Sequence, residues 1–424
     1  MTTSPTKPET PSVEGVQRRT LAVLSGAQIT GGVGVAVGLA LSSLVVFKLS
    51  GSEAVSGLAG TATVLGAAIL ALPAAKVSGK GGRRAGLGLT YLAALTGCLI
   101  SVLAITIASW PLLLAGLVLV GGGSAGNLAA RYSATDLSPP GHAARHLSLV
   151  VWAATIGSVA GPNLAAPADG LGIDLGLVPT AGPFAFAAIS FAVALLIIMV
   201  GLRPDPLVLA RRLSGTAAPA AAGSRTIRDA WDTLRATPAA RMALLAIAVS
   251  HTAMVSVMSM TPVHLHHEGA HLEVIGLVLS LHIAGMFVLS PLVGWIADKL
   301  GKLPVLVLGM ALLLAAATLA GTAGEHHVGQ VTAGLVLLGV GWSCGLVAGS
   351  AMLSESVAIE RRPAVQGLSD LLMNVCGATG TIVAGAIVGA LSYGMLGLVV
   401  GAMVTITGLW LALRGRSGRI APAA

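Results

Sequence analysis

The sequence predicts an all-α polytopic membrane protein, with twelve transmembrane helices in two six-helix halves. Apolar runs of close to 20 residues recur along the whole chain, the length an α-helix needs to cross the hydrocarbon core. Of 424 residues, 55% are hydrophobic and only 9% charged, with mean hydropathy +0.90; a soluble chain carries about 25% charged residues. Of the 24 Lys and Arg residues, only Lys48 falls on the side opposite the N-terminus once the spans are drawn. Missing one span would scramble that split. By the positive-inside rule both termini then face the cytoplasm, in an inner (plasma) membrane. The net charge of +8 is no nucleic-acid signature, because the basic residues are not clustered with aromatics. Cys98, Cys344 and Cys376 all fall inside apolar runs, which argues against a disulfide framework.

Taken in order, residues 1–19 read as a cytoplasmic tail rich in Thr, Ser and Pro, without the layout of a cleaved signal. Spans at 20–46, 54–75, 85–108, 111–130, 146–167 and 179–202 make an N-terminal bundle, 20–202. The linker 203–240 contains TIRDAWDTLRAT, a short amphipathic helix for the membrane surface. Spans at 241–261, 273–297, 303–322, 330–353, 366–390 and 394–413 make a C-terminal bundle, 241–413. A cytoplasmic tail, 414–424, closes the chain.

Corresponding loops of the two halves are related. After span eight the chain reads Gly294-Trp-Ile-Ala-Asp298-Lys299-Leu-Gly301-Lys302, and after span two Ala75-Lys-Val-Ser-Gly79-Lys80-Gly-Gly82-Arg83-Arg84. The first of these resembles the G-x-x-x-D-[RK]-x-G-[RK] signature of the major facilitator superfamily of secondary transporters. The second resembles a degraded copy, with Gly79 in place of the acid. The resemblance implies two six-helix halves, a cavity near the membrane midplane and alternating access by rocking. It also implies that Asp298, Lys299 and Lys302 lock the cytoplasmic side, while the first-half lock is in doubt. In span five, Gly157-Ser-Val-Ala-Gly161-Pro162-Asn163 resembles the G-x-x-x-G-P motif of the superfamily's antiporters, often drug exporters. Ala165-Ala166 stand where the family has Gly-Gly. Physically, Gly157 and Gly161 admit a close helix neighbour and Pro162 bends the helix, so tight packing alone accounts for the motif equally well.

Ionisable residues inside a span are costly and therefore functional candidates. Arg131 and Asp136 flank the cytoplasmic end of span four as loop or gate residues. Asp370 is expected within reach of the cytoplasmic headgroups. Gln28, Asn127, Asn163 and Asn374, with Arg131, are candidates to line a cavity. On this reading His251 and His282 are the only titratable groups well inside a span, and an imidazole is a side chain able to carry a proton near neutral pH.

The most specific chemistry lies in spans seven and eight. Met254 and Met258 stand four residues apart, as do His282 and Met286. That spacing shares a helix face, and a rise of about 1.5 Å per residue puts the two pairs at overlapping heights. Thioethers with an imidazole suit Cu(I), and His251 is an additional ligand on a similar face. Met-x-x-x-Met followed by His-x-x-x-Met is similar to the CcoA-like copper importers of the superfamily. The other reading stays open: Met as apolar filler, with His282 hydrogen-bonded to a neighbouring helix. His264, His266, His267, Glu268, His271, His326 and His327 sit in outer turns, either to catch metal at a cavity mouth or as solvated loop. No cofactor is expected, copper entering only as cargo. The partners are lipid and a small-molecule or metal-ion substrate, and the chain is expected to be a monomer. No nucleophile or base is placed for an enzyme. The sequence thus leaves two cargo readings, copper and a drug-like organic molecule exported against protons.

Overall fold

The computed structural model describes residues 12–215, 226–268, 271–324 and 327–418. The first crossing is α1 (Val13–Ala40) continued by α2 (Ser42–Ser50), and the short α3 (Glu53–Ser56) follows it. Then come α4 (Leu58–Gly81), α5 (Arg83–Thr106), α6 (Trp110–Ser133), α7 (Ala143–Asp174) and α8 (Gly182–Gly201). Two linker helices, α9 (Pro206–Leu213) and α10 (Thr226–Ala236), lead to α11 (Pro238–His267). The chain continues through α12 (Leu272–Phe287), α13 (Ser290–Leu300), α14 (Lys302–Gly321), α15 (Val328–Ser356), α16 (Arg362–Ala390) and α17 (Tyr393–Gly418). Among the described residues twelve helical crossings are long and apolar enough to span a membrane. All even-to-odd loops share one end with the start of α1, called the termini end below.

Local chemistry sets where these helices start and break. Ser12 caps α1 through its hydroxyl, which accepts from the Gly15 N–H, so the helix begins ahead of the apolar run that marked its start in the sequence. The eighth crossing is two helices, α12 and α13, where the sequence predicted one. Pro291 sits in the first turn of α13, where its missing N–H costs nothing. The linker holds the expected amphipathic helix, with Ala230 and Leu234 buried and Ile227 and Trp231 exposed. It also holds α9, unforeseen, which starts at Pro206 under an Asp205 cap that accepts from the N–H groups of Leu207 and Val208.

In lipid there is no hydrophobic gain from pressing apolar helices together, so association depends on close van der Waals contact through small residues. The contact between α4 and α6 illustrates this. A Cβ on Gly66 would overlap the Val118 carbonyl, and one on Gly121 would overlap the Thr63 carbonyl. Large side chains such as Leu65, Ile69, Leu99, Leu196, Leu398 and Ile406 instead point outward, forming the apolar surface that faces lipid. The two halves meet mainly where α4 packs on α16 and α7 on α13. Tyr132, Ala144, Leu147 and Val151 of the first half join the apolar core of the second.

If backbone contact through Gly66 holds α4 to α6, Gly66→Leu should destabilise the purified protein by about 3 kcal/mol, the upper range for overpacking. Gly60→Leu, on the same helix but with open space at its Cβ, should leave the melting temperature in detergent unchanged.

Candidate functional site

A cavity of about 300 Å³ lies between the halves. From the first half, Gln28 on α1 and Asn127 and Arg131 on α6 line it; from the second come His251 on α11, Trp342 on α15 and Asn374 on α16. Phe287 stands edge-on to Trp342 with ring centroids 5.7 Å apart. The Trp342 indole N–H donates to His251 Nδ1 at 3.1 Å, so the neutral His251 ring carries its proton on Nε2. Tyr91 donates its hydroxyl proton to Asn127 Oδ1 at 3.0 Å. Gln28 Oε1 is buried without a hydrogen-bond partner among the described residues. The cavity therefore combines an aromatic wall with amide edges, a lining that suits a compact organic molecule.

The structure divides the methionine and histidine set. Met254 and Met286 line the cavity together with His251. Met258 and His282 do not; they lie about one turn further toward the far end, roughly 6 Å along their helices. His282 is fully buried against α15, where its Nδ1–H donates to the Leu335 carbonyl at 2.8 Å. Of Met254, Met258, His282 and Met286, the cavity thus takes in one residue from each pair. Asn163 is not a cavity residue either: it is exposed and donates to its own helix at the Val159 carbonyl.

Toward the termini end a layer of charge closes the cavity. Arg131 is 1% exposed and donates to Asp370 at 2.8 Å, to Ser350 at 3.1 Å and to the Leu128 carbonyl at 2.9 Å. Arg83 grips Asp136 with two hydrogen bonds, 2.7 and 3.0 Å, and donates across the halves to Gln366 Oε1 at 2.7 Å. Tyr132 donates to Ser369 at 3.1 Å. Asp298 accepts from the N–H groups of Ala144 and Arg145 at the start of α7, at 3.1 and 2.8 Å, where a carboxylate satisfies free donors and meets the helix dipole. Lys302 pairs with both Asp298 and Glu355. Lys299 takes no part in this contact and lies over the Trp295 ring. Asp370 corrects the sequence reading. It sits about 12 Å along α16 and is 4% exposed, deep in the bundle instead of at the headgroups. With Arg131 it adds a buried ionised pair to the histidines inside the spans.

The remaining motif residues serve packing and termination. A Cβ on Gly157 would overlap the Gly32 backbone of α1, and one on Gly161 would overlap Ala36, so this face lies directly against α1 whatever the direction of transport. The Pro162 side chain lies outside the described residues. Gly294 approaches Ser148 and the Ala144 carbonyl of α7 as closely, and Gly301 takes φ +97° at the turn into α14. The Arg84 N–H donates to Asp205. At the far end His264 stacks on Tyr393 with centroids 4.3 Å apart, while His266 and His271 are exposed. The His267 side chain and His326 lie outside the described residues. Among the described residues no three His, Cys, Asp or Glu side chains are grouped to hold a metal. Sequence reasoning passed over Trp342, Ser350 and Gln366. The signal available for them was a polar or aromatic residue facing inward from an otherwise apolar span.

Comparisons with known proteins agree with this architecture. The chain is 35% identical over 389 residues to the uncharacterised MFS-type transporter YdeG of Bacillus subtilis (strain 168), covering 92% of this chain and 90% of the relative. It is 27% identical over 356 residues to the riboflavin transporter RfnT of Brucella anthropi, covering 84% and 85%. The human organic anion transporter MFSD10 superposes with a TM-score of 0.79 at 17% identity, over 96% of this chain and all of that one. A bacterial homologue of the iron transporter ferroportin, in its outward-facing state, gives 0.70 at 16% identity, over 94% and 98%. At such identities these structures speak for the fold alone. The Major Facilitator Superfamily profile matches residues 20–273 and 243–423, and the chain belongs to that superfamily.

Proposed function

We propose that this secondary transporter carries a compact organic molecule with a planar ring and a hydrogen-bonding edge. The observation that carries this reading is the cavity lining: Trp342 and Phe287 beside the amides of Gln28, Asn127 and Asn374. Riboflavin, named for one relative, is a molecule of this kind. The distribution of Lys and Arg supports cytoplasmic termini, which makes the present state one closed to the cytoplasm by the Arg83, Arg131 and Asp298 contacts. Rocking of the halves then breaks that layer and opens the cavity to the cytoplasm.

Copper is a second reading, favoured by Met254 and Met286 lining one cavity with His251. It asks more of the site. His251 Nδ1 already accepts from Trp342, and two thioethers supply half of a tetrahedral soft site.

A thermal-stability screen of planar aromatic metabolites against the purified protein, with Cu(I) alongside, separates the two. Organic ligands are expected to stabilise by about 2.7 kcal/mol at a hundredfold excess over Kd. Trp342→Ala should weaken them about tenfold, the scale of one aromatic contact, and the double variant Met254→Leu/Met286→Leu should have little effect. Copper uptake into vesicles that the double methionine variant abolishes would reverse the assignment.

The closed layer makes a separate prediction. Asp298→Ala removes a carboxylate from the start of α7 and should weaken closure by about 2 kcal/mol, within the range for a helix cap with charge-assisted bonds. The expected result is a more than tenfold rise in modification of a cysteine placed at Ser148, measured with a membrane-impermeant thiol reagent from the termini side. Unchanged labelling would remove Asp298 from the gate.

A further inference from the structure

We propose that the termini end carries a second ligand site, for a ring compound bearing a phosphate or carboxylate, and that its occupant holds the two halves closed there. The proposal stands whatever the central cavity carries.

A cavity of about 1020 Å³ opens at this end, large enough for a whole metabolite. Its walls come from both halves. The first half supplies Thr135 and Leu137 after α6, and Leu213 at the end of α9. The second supplies Ser354 and Ser356 at the end of α15, and Val357, Ile359 and Arg362 on the way into α16. Asp136 lines this cavity and Arg131 lines the central one, so the charged layer lies between the two.

Charge at the wall selects the ligand. The ionisable side chains lining this cavity are Asp136, Glu355 and Arg362. Both carboxylates are already matched. The two oxygens of Asp136 accept from Arg83, and Glu355 pairs with Lys302 at 3.0 Å. Arg362 is not matched. Its Nε–H donates to the Val357 carbonyl at 3.1 Å, and its two terminal nitrogens have no hydrogen-bond or ion-pair partner among the described residues. A planar guanidinium with donors to spare fits the oxygens of a carboxylate or phosphate. The Thr135 and Ser356 hydroxyls give their protons to the carbonyls of Tyr132 and Leu353, which leaves lone pairs for the N–H and O–H groups of the ligand. Leu137, Leu213, Val357 and Ile359 supply apolar wall for a ring.

Because the walls belong to different halves, opening at this end pulls them apart and the site exists only while the end is closed. A ligand that binds one of two states shifts the equilibrium toward that state. An occupant therefore slows the turn that exposes the central cavity to the termini side, and it acts without entering that cavity.

The test uses the full chain in nanodiscs, with AMP as the probe and adenosine as its uncharged counterpart. By calorimetry AMP is expected to bind about tenfold tighter than adenosine, the scale of a hydrogen bond to a charged group. Arg362→Gln should remove that preference, and Ala358→Trp, at an exposed position of the cavity rim, should block AMP. Trp342→Ala, in the central cavity, should leave AMP binding unchanged. With a cysteine at Ser148, AMP at a hundredfold excess over its Kd should slow modification from the termini side about a hundredfold, the ratio for a ligand that binds the closed state alone. No binding of AMP at about 10 mM, tenfold above a millimolar Kd, overturns the proposal. So does AMP binding that is lost in Trp342→Ala but kept in Arg362→Gln and Ala358→Trp, which places the anion in the central cavity. Binding that leaves the labelling rate unchanged overturns the closing role. Ala358→Trp decides the site alone if Arg362→Gln does not fold.

Discussion

A guanidinium or carboxylate inside an apolar bundle persists only where the protein supplies its partner, and here several of those partners sit in opposite halves. Arg131 of α6 meets Asp370 of α16, Arg83 of α5 reaches Gln366 of the same helix, and Asp298 in the last turn of α13 satisfies the start of α7. Removing one member of a buried pair typically costs about 3–5 kcal/mol, because the other is left uncompensated. The halves cannot separate at this end until something else takes over the stranded groups. Water is one available substitute, and a polar group brought in by the cargo is another. That dependence connects the packing of the bundle to the timing of transport.

The two related loops show how far a repeat can drift and keep its task. In the second half Asp298 satisfies the helix across the interface. In the first half the matching position is Gly79, whose carbonyl accepts from Arg211. The acid has been replaced from elsewhere: Asp205 takes the Arg84 N–H and caps α9 with its other oxygen. Gly82, at φ +85°, leaves the room that carboxylate occupies, since a Cβ there would lie 2.5 Å from it. So α9 is fastened to the first half, while α10 packs on α16 and α11 of the second, with Arg361 donating to Thr233 at 3.3 Å. The linker anchors one helix on each half, and the loop lock on the α16 side rests on the neutral Gln366 where the other side has a carboxylate.

Span count, the family resemblance and the Asp298 loop were legible because each depends on composition or on residues close in sequence. The heights of the Met and His pairs were also legible. Met254 and Met286 meet the cavity, and their partners one turn away stand above it. What sequence does not contain is the rotation of each helix about its axis. Four-residue spacing says that His282 and Met286 share a face, but not that α15 covers the upper part of that face and leaves the lower part open. Asn163 fails for the same reason, falling on the exposed side of α7. Asp370 was misplaced because counting residues from a predicted helix start gives depth along one helix. The depth that matters is set by neighbours, and Ala71, Ala74 and Ala75 of α4 together with Arg83, Arg131 and Tyr132 surround this carboxylate.

The hydrogen bonds of the cavity bear on what it selects. Asn127 Oδ1 is already used by Tyr91 and the Asn374 amide donates to the Asp370 carbonyl, so these amides are held in fixed orientation. Gln28 Oε1, buried without a hydrogen-bond partner among the described residues, presents an acceptor that a ligand N–H or O–H would satisfy. A site that hydrogen-bonds its substrate rejects an analogue lacking the matching group far more strongly than an apolar pocket rejects a missing methylene, because its own buried groups are left unpaired. The aromatic wall tolerates many rings, and the oriented amides do not tolerate many edges. On the proposed reading of the cavity, discrimination among ring compounds rests with Gln28, Asn127 and Asn374, while Trp342 and Phe287 supply affinity common to all of them.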